Sequence, residues 1–250
     1  MPEGDTIHRL ARRCRVLVDE PLRLRLGPLL REAQPGPVRH VQAVGKNLLL
    51  HFEDGRSLRL HLGLGGSAPL RAPGSPLGER PELLLETSRH QLSALQPLHC
   101  VLVERPQLQR LLGSLGPDLL GPEPDWAEVV GRARARSAAL HLVLLDQRVA
   151  AGIGNVYKSE LLFFFKRHPE QGLEALEDGE VERLYRKARS WLLENVERPR
   201  RRTTGPHHPL DLWVYGRARQ PCARCRTRLQ GGGHDDRPTV WCPRCQRIRV

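Results

Sequence analysis

The chain has little lysine. Of its 40 basic residues, only Lys46, Lys158, Lys166 and Lys187 are not arginine. Such a bias reads as the mark of a GC-rich genome, and it draws notice to any lysine at a motif position. Aromatic residues make up 4% of the chain, and methionine occurs once. No apolar run approaches the roughly 20 residues of a bilayer-spanning helix, which excludes a helical membrane protein. The first residues lack the basic-then-apolar pattern of a secretory signal, so the expectation is a cytoplasmic protein. Cysteine is also scarce outside one C-terminal cluster. Cys14 and Cys100 read as isolated core residues, and a disulfide scaffold is not indicated.

What is present is ordinary in amount and unusual in charge. The 250 residues are 39% hydrophobic and 27% charged, enough for one large domain or two modest ones. The net charge is +12 and the sequence pI about 10.3. A polyanion such as nucleic acid is the partner such a balance implies. From Arg198 onward there are thirteen arginines and three acids, Asp211, Asp235 and Asp236. A solvated basic tail would account for that run, but four cysteines inside it argue for a folded module.

Ile7, Leu10, Ala11, Cys14 and Leu17 follow helical spacing, with Asp5 or Thr6 as the expected N-cap. Pro2 and Glu3 then lie just ahead of a helix N-terminus, where the dipole favours an anion. From Leu22 to about Val103, short apolar runs such as NLLLHF and SLRLHLGL alternate with Gly, Pro and Asp turns. That pattern predicts a β-sandwich or barrel. The Pro- and Gly-rich stretch 115–125 reads as a linker. Residues 126–197 have helical periodicity throughout. The expected domains are 1–123, 124–215 and 216–250.

Cys222, Cys225, Cys242 and Cys245 stand in the spacing C-x2-C-x16-C-x2-C. Each C-x2-C turn places two thiolates on one metal face, and the pair completes a tetrahedron. The spacing is that of a structural Zn(II) site, closed by four protein ligands. The sixteen intervening residues suit a β-hairpin. AGIGN, ending at Asn155, opens a predicted helix. Its glycines allow either a plain helix connection or close approach to a phosphate. Lys46 follows a glycine at a predicted strand start, as a solvated strand end or as a phosphate or base contact. Residue type alone does not decide either case.

The Pro-Glu-Gly start, the Gly-Ile-Gly-Asn turn and the four-cysteine module occur in the order found in the Fpg/Nei family of bacterial DNA glycosylases. The chain resembles that family over nearly its whole length. The shared stretches include MPEGDTIHRLARR, GKNLLLHF, LRLHLGLGGS, LGPDLLG, GIGNVYKSELLFFF, WVYGRARQPCARC and TVWCPRCQ. The resemblance implies an α+β fold: an N-terminal β-sandwich with a leading helix, a helix–two-turn–helix domain, and a zinc-ribbon β-hairpin. It implies that Pro2, freed by removal of Met1, is the nucleophile, that Glu3 is the acid, and that Lys46 binds phosphate near the lesion. It places Leu64 as a filler of the gap left by a flipped base. Asn155, Lys158 and Arg237 are expected DNA contacts.

The activity implied is a bifunctional glycosylase and AP lyase of base excision repair. It would act as a monomer on damaged duplex DNA, in the bacterial nucleoid and away from membranes. An amine able to form a Schiff base must be partly neutral near pH 7. An α-amino group titrates at about 7.7–8, against about 10.4 for lysine, so the terminus is suited to that step. The family's 8-oxoguanine branch carries an Asp-Pro-Arg-Arg-Phe stretch with further gap-fillers. Here ERPQLQRLL (104–112) is expected at that place, with Gln107 and Leu108 as substitutes. That departure and the PEGDT start favour the Nei-like branch, which prefers oxidised pyrimidines. An 8-oxoguanine-preferring enzyme and a non-catalytic binder of damaged DNA are the alternatives.

Overall fold

The apolar face of the first helix, Ile7, Leu10, Ala11 and Cys14, needs a surface to cover it, and two antiparallel sheets supply one. The structure, a computed structural model, describes residues 1–232 and 238–248. The chain forms two compact units, Met1–Ser114 and Leu115–Val250.

The first unit opens with α1 (Gly4–Cys14). One sheet has the order β2 (Arg31–Ala33), β1 (Arg23–Leu26), β7 (Pro81–Glu86), β8 (Gln91–Leu95), β6 (Leu70–Arg71). The other runs β3 (Val38–Val44), β4 (Asn47–Phe52), β5 (Ser57–His61), β9 (His99–Val103). Alternation along the strands sends Leu48, Leu50, Leu58 and Leu60 into a core shared with Leu24, Leu83, Leu85 and Leu92, which α1 also joins. The expected sandwich is therefore present. The unit ends in α2 (Arg105–Gly113), within the segment where gap-fillers were expected.

The second unit is helical, with α3 (Trp126–Arg134), α4 (Leu140–Leu145), α5 (Asn155–Phe164) and α6 (Asp178–Val196). They pack around Val129, Leu144, Tyr157, Leu161, Tyr185 and Trp191. The stretch 115–125 is not a loose tether. Leu119 is buried in this core, and Arg189 donates to the Leu119 and Gly121 carbonyls at 2.6 and 3.0 Å. A short hairpin follows, β10 (Gln230–Gly232) with β11 (Thr239–Trp241). It has its own small core of Phe163, Val214, Cys222, Leu229, Val240 and Cys242. No helix among the described residues is long and apolar enough to cross a membrane.

Candidate active site and metal centre

In the first unit the helix begins two or three residues earlier than the sequence pattern indicates. The backbone N–H groups of Thr6 and Ile7 both donate to the Glu3 carbonyl, at 3.0 and 3.1 Å. Glu3 is thus the N-cap residue, and Asp5 belongs to the first turn rather than capping it. The Glu3 and Asp5 side chains are fully buried. Two carboxyl groups at a helix N-terminus sit where the dipole favours negative charge.

Pro2 lies immediately before this turn. It lines an open cleft of about 580 Å³ together with Met1, Thr6, Leu64, Gly66 and Arg71. That volume is in the range of about 300–1,000 Å³ usual for ligand pockets. Leu64 is 42% exposed and rides the tip of a tight loop, where Gly63 has a φ of +64°. The loop closes through the Gly66 N–H donating to the Leu62 carbonyl at 3.0 Å. A Cβ on Gly66 would lie 2.3 Å from the Leu62 oxygen and 2.7 Å from that of Gln96, so only glycine fits.

Lys46 sits on the two-residue turn that joins β3 to β4, one position before the strand, beside Gly45 at φ +56°. Glycine at the first central position is what a type II′ hairpin requires.

The expectation for Leu108 needs correction. The Gln107 side chain accepts from the Glu104 N–H at 3.2 Å, in a capping box that starts α2, and Leu108 is buried. Leu108 is thus turned away from a ligand, while Gln107 stays exposed at the helix start. The Glu-x-x-Gln signature of that box was the signal for the helix. The segment beside the Leu64 loop is instead Gln96–Leu98, which joins β8 to β9. The Leu98 N–H donates to the His61 carbonyl at 2.8 Å, and its side chain is 59% exposed. No periodicity argument singles out such a residue.

In the second unit, Gly152 at φ +121° and the Gln147 side chain build the turn before α5. Gln147 donates to the Ile153 carbonyl at 2.9 Å and accepts from the Gly152 N–H at 3.0 Å. Asn155, at the first position of the helix, is buried and donates from Nδ2 to the Pro238 carbonyl at 3.0 Å. Lys158 is also buried, its Nζ donating to Thr239 Oγ1 at 2.7 Å. That placement makes Lys158 a brace between α5 and β11, not a side chain offered to a phosphate. Arg237 lies outside the described residues.

Glu160 is a further anchor that sequence reading missed. Its carboxylate accepts from the Trp213, Val214 and Tyr215 N–H groups at 2.7, 2.8 and 2.8 Å and from the Thr203 hydroxyl. Burial pushes this carboxyl up from its ordinary range, and the four donors oppose that shift.

The four cysteines of the module converge. Their sulfurs all lie within 4.8 Å of one another, with Cys222–Cys245 at 3.9 Å and Cys225–Cys242 at 3.5 Å. A tetrahedron of Zn–S bonds of about 2.3 Å has edges of about 3.8 Å, so the set fits Zn(II). Four thiols this close cannot all ionise unaided. The Thr227 hydroxyl, as the largest cause, holds Cys225 down to about 6, while burial and the neighbouring sulfurs push Cys245 up. A divalent cation stabilises all four as thiolates. With no open ligand position, its part is structural.

Comparison with known proteins agrees with this geometry. Residues 115–205 match the model of the formamidopyrimidine-DNA glycosylase H2TH domain, and residues 219–248 match that of the zinc finger found in FPG and IleRS. The protein named "Probable endonuclease 8 2" of Streptomyces coelicolor is 39% identical, over 98% of this chain and 94% of its own. "DNA-(apurinic or apyrimidinic site) lyase Nei2" of Mycolicibacterium smegmatis is 34% identical, over 98% and 99%. Among solved structures, formamidopyrimidine-DNA glycosylase of Lactococcus lactis, bound to DNA containing an AP site, superposes with a TM-score of 0.80. It is 21% identical, over 98% of this chain and 99% of that one, and shows the shared fold. A β-sandwich with a leading Pro-Glu helix, a helix–two-turn–helix unit and a four-cysteine hairpin define a class of DNA glycosylases. The chain belongs to that class, the Fpg/Nei family.

Proposed function

We propose that the protein is a DNA glycosylase and AP lyase of base excision repair, working through the Pro2 amine on oxidised bases, chiefly pyrimidines. One observation carries the reading of the site: Pro2 and Leu64 line the same cleft, and the next residue, Glu3, is fully buried. A base inside a duplex is out of reach, so the damaged nucleotide must be extruded and the gap filled. Leu64 is positioned to fill it, and Leu98 on the neighbouring loop is a second apolar filler.

With Met1 removed, Pro2 carries a secondary amine. Its nitrogen attacks C1′ of the extruded nucleotide, the C1′–base bond breaks, and the base departs with a proton. Glu3 protonates the ring oxygen as the sugar opens, leaving an iminium between Pro2 and C1′. The iminium acidifies the C2′ protons. Loss of one expels the 3′ phosphate by β-elimination, and a second elimination releases the 5′ phosphate. Lys46, offered on its hairpin turn, holds a phosphate near the lesion. Asn155 and Arg237 hold the strand from the second unit, and the zinc module supports them. The substrate places the protein in the bacterial nucleoid.

The test is borohydride trapping on a duplex with a single abasic site. Mature protein beginning at Pro2 should give a covalent adduct. Protein with one extra glycine before Pro2, which converts the amine to an amide, should give none. No adduct from the mature protein would favour a non-catalytic binder of damaged DNA.

A further inference from the structure

Arg59 differs from the acid-paired arginines of the first unit. Arg25 pairs with Glu86, Arg39 with Asp19 and Glu53, and Arg56 with Asp54. Arg59 has no acid partner among the described residues. Its side chain leaves β5 on the face opposite Leu58 and Leu60, both of which point into the sandwich core. It is half-buried there. Burial pulls its pKa down, and no carboxylate offsets that shift. His99, edge-on to His61 at 6.0 Å, is also pushed down, by burial and then by the Arg59 charge. A guanidinium removed from water without a counter-charge destabilises a fold.

The group is nevertheless held in a fixed orientation. Arg59 Nε donates to Asn47 Oδ1 at 2.9 Å, and the other end of that amide donates from Nδ2 to the Val44 carbonyl at 3.2 Å. Asn47 is buried, so both its orientation and that of the guanidinium are set. Nε is thereby engaged, and the Nη atoms of the planar fork remain to bind an anion. Phosphate matches that geometry. Asn47 directly follows Lys46, so one hairpin turn both presents a lysine and aims an arginine. Two cations set by one turn suit a ligand with repeated phosphates.

We infer that Arg59, aimed by Asn47, is a phosphodiester-binding residue that grips the DNA strand beside the Lys46 turn. The inference rests on the reading of the protein as a DNA glycosylase. It is tested with a duplex carrying a tetrahydrofuran abasic analogue, titrated over a range of salt concentrations. Arg59→Met should weaken binding about tenfold at low salt and make the slope of log K against log salt shallower by about 0.9, one phosphate contact. Its melting temperature should fall only modestly, because removal of the unpaired charge offsets the donor lost by the buried Asn47 Oδ1. Arg56→Met, which removes an acid-paired arginine, should leave the slope unchanged. An unchanged slope in Arg59→Met overturns the inference. An equal loss of affinity at every salt concentration, alongside a large fall in melting temperature, also overturns it, since Arg59 would then be structural. Borohydride trapping separates the two readings. An adduct with no Arg59 effect on the slope removes this inference alone, whereas an Arg59-dependent slope without an adduct removes the lyase reading alone.

Discussion

Asn155 Nδ2 donates to the Pro238 carbonyl at 3.0 Å, and three residues further along α5 Lys158 meets Thr239. The first turn of α5 is thus fastened to the strand that leads into Cys242. The cysteine hairpin has its own core, distinct from that of the four helices. Removing zinc should therefore release the hairpin while the helices stay folded. Structural zinc contributes on the order of 10 kcal/mol to such modules, far more than these few contacts supply. Cys242→Ser, or chelation, should abolish zinc retention of one ion per chain, lower duplex affinity at least tenfold, and leave far-UV helical dichroism nearly intact. Unchanged DNA affinity in the zinc-free protein would show that the hairpin plays no part in binding.

The sequence made some of this legible and hid the rest for physical reasons. Cysteine spacing reports a metal site because a tetrahedron constrains the chain locally, and Cys222 to Cys245 meet as expected. Helix and strand periods report burial because each is a repeat along one element. A residue's environment across elements leaves no such repeat. Lys158 looks like a phosphate ligand in a basic chain, yet Thr239 from β11 covers it. Leu98 looks like any loop leucine, and only the β8–β9 turn beside Gly63 makes it notable. Glu160 is one acid among 28, distinguished only by the three backbone N–H groups folded onto it.

Lys158 provides a direct check on its corrected role. Lys158→Met keeps the aliphatic stem and deletes the ammonium, so the Thr239 hydroxyl loses its partner. The expected result is a loss of about 1–3 kcal/mol in stability, read from urea unfolding, with an unchanged salt slope for DNA binding. A slope shallower by one contact would return Lys158 to the DNA interface.

Acid should destabilise the first unit through His51. Its Nδ1 lies 2.9 Å from Ser57 Oγ, and its ring stacks on His40 at a centroid distance of 5.7 Å. Burial, and then the His40 charge, lowers its pKa. In the unfolded chain histidine titrates near about 6.5, so the unfolded state binds more protons just below that pH. Stability is therefore full above about 6.5 and is lost as pH falls below it. Melting curves at pH 7.5 and 5.5 should show a smaller acid-induced drop in His51→Gln than in the parent, with zinc held in excess. Equal drops would remove His51 as a contributor.

Leu98 and Leu64 give the sharpest test of how the protein treats a duplex. Both are exposed aliphatic side chains on adjacent loops, joined through the Leu98 N–H and the His61 carbonyl at 2.8 Å. Such exposure is unfavourable in water and becomes favourable once the side chains enter a base stack. An aliphatic wedge has no donor or acceptor with which to read the base opposite the lesion. Excision rates opposite the four bases should therefore differ by less than about tenfold, since no polar group is left unpaired by a wrong partner. Leu98→Ala should slow excision from duplex about tenfold and leave excision of the same lesion from a single strand unchanged, because a single strand has no gap to fill. Leu98→Arg adds a forked donor that can bond guanine, and should raise the rate opposite guanine relative to adenine. Equal slowing of Leu98→Ala on both substrates would instead place Leu98 in the folding of the loop rather than in the duplex.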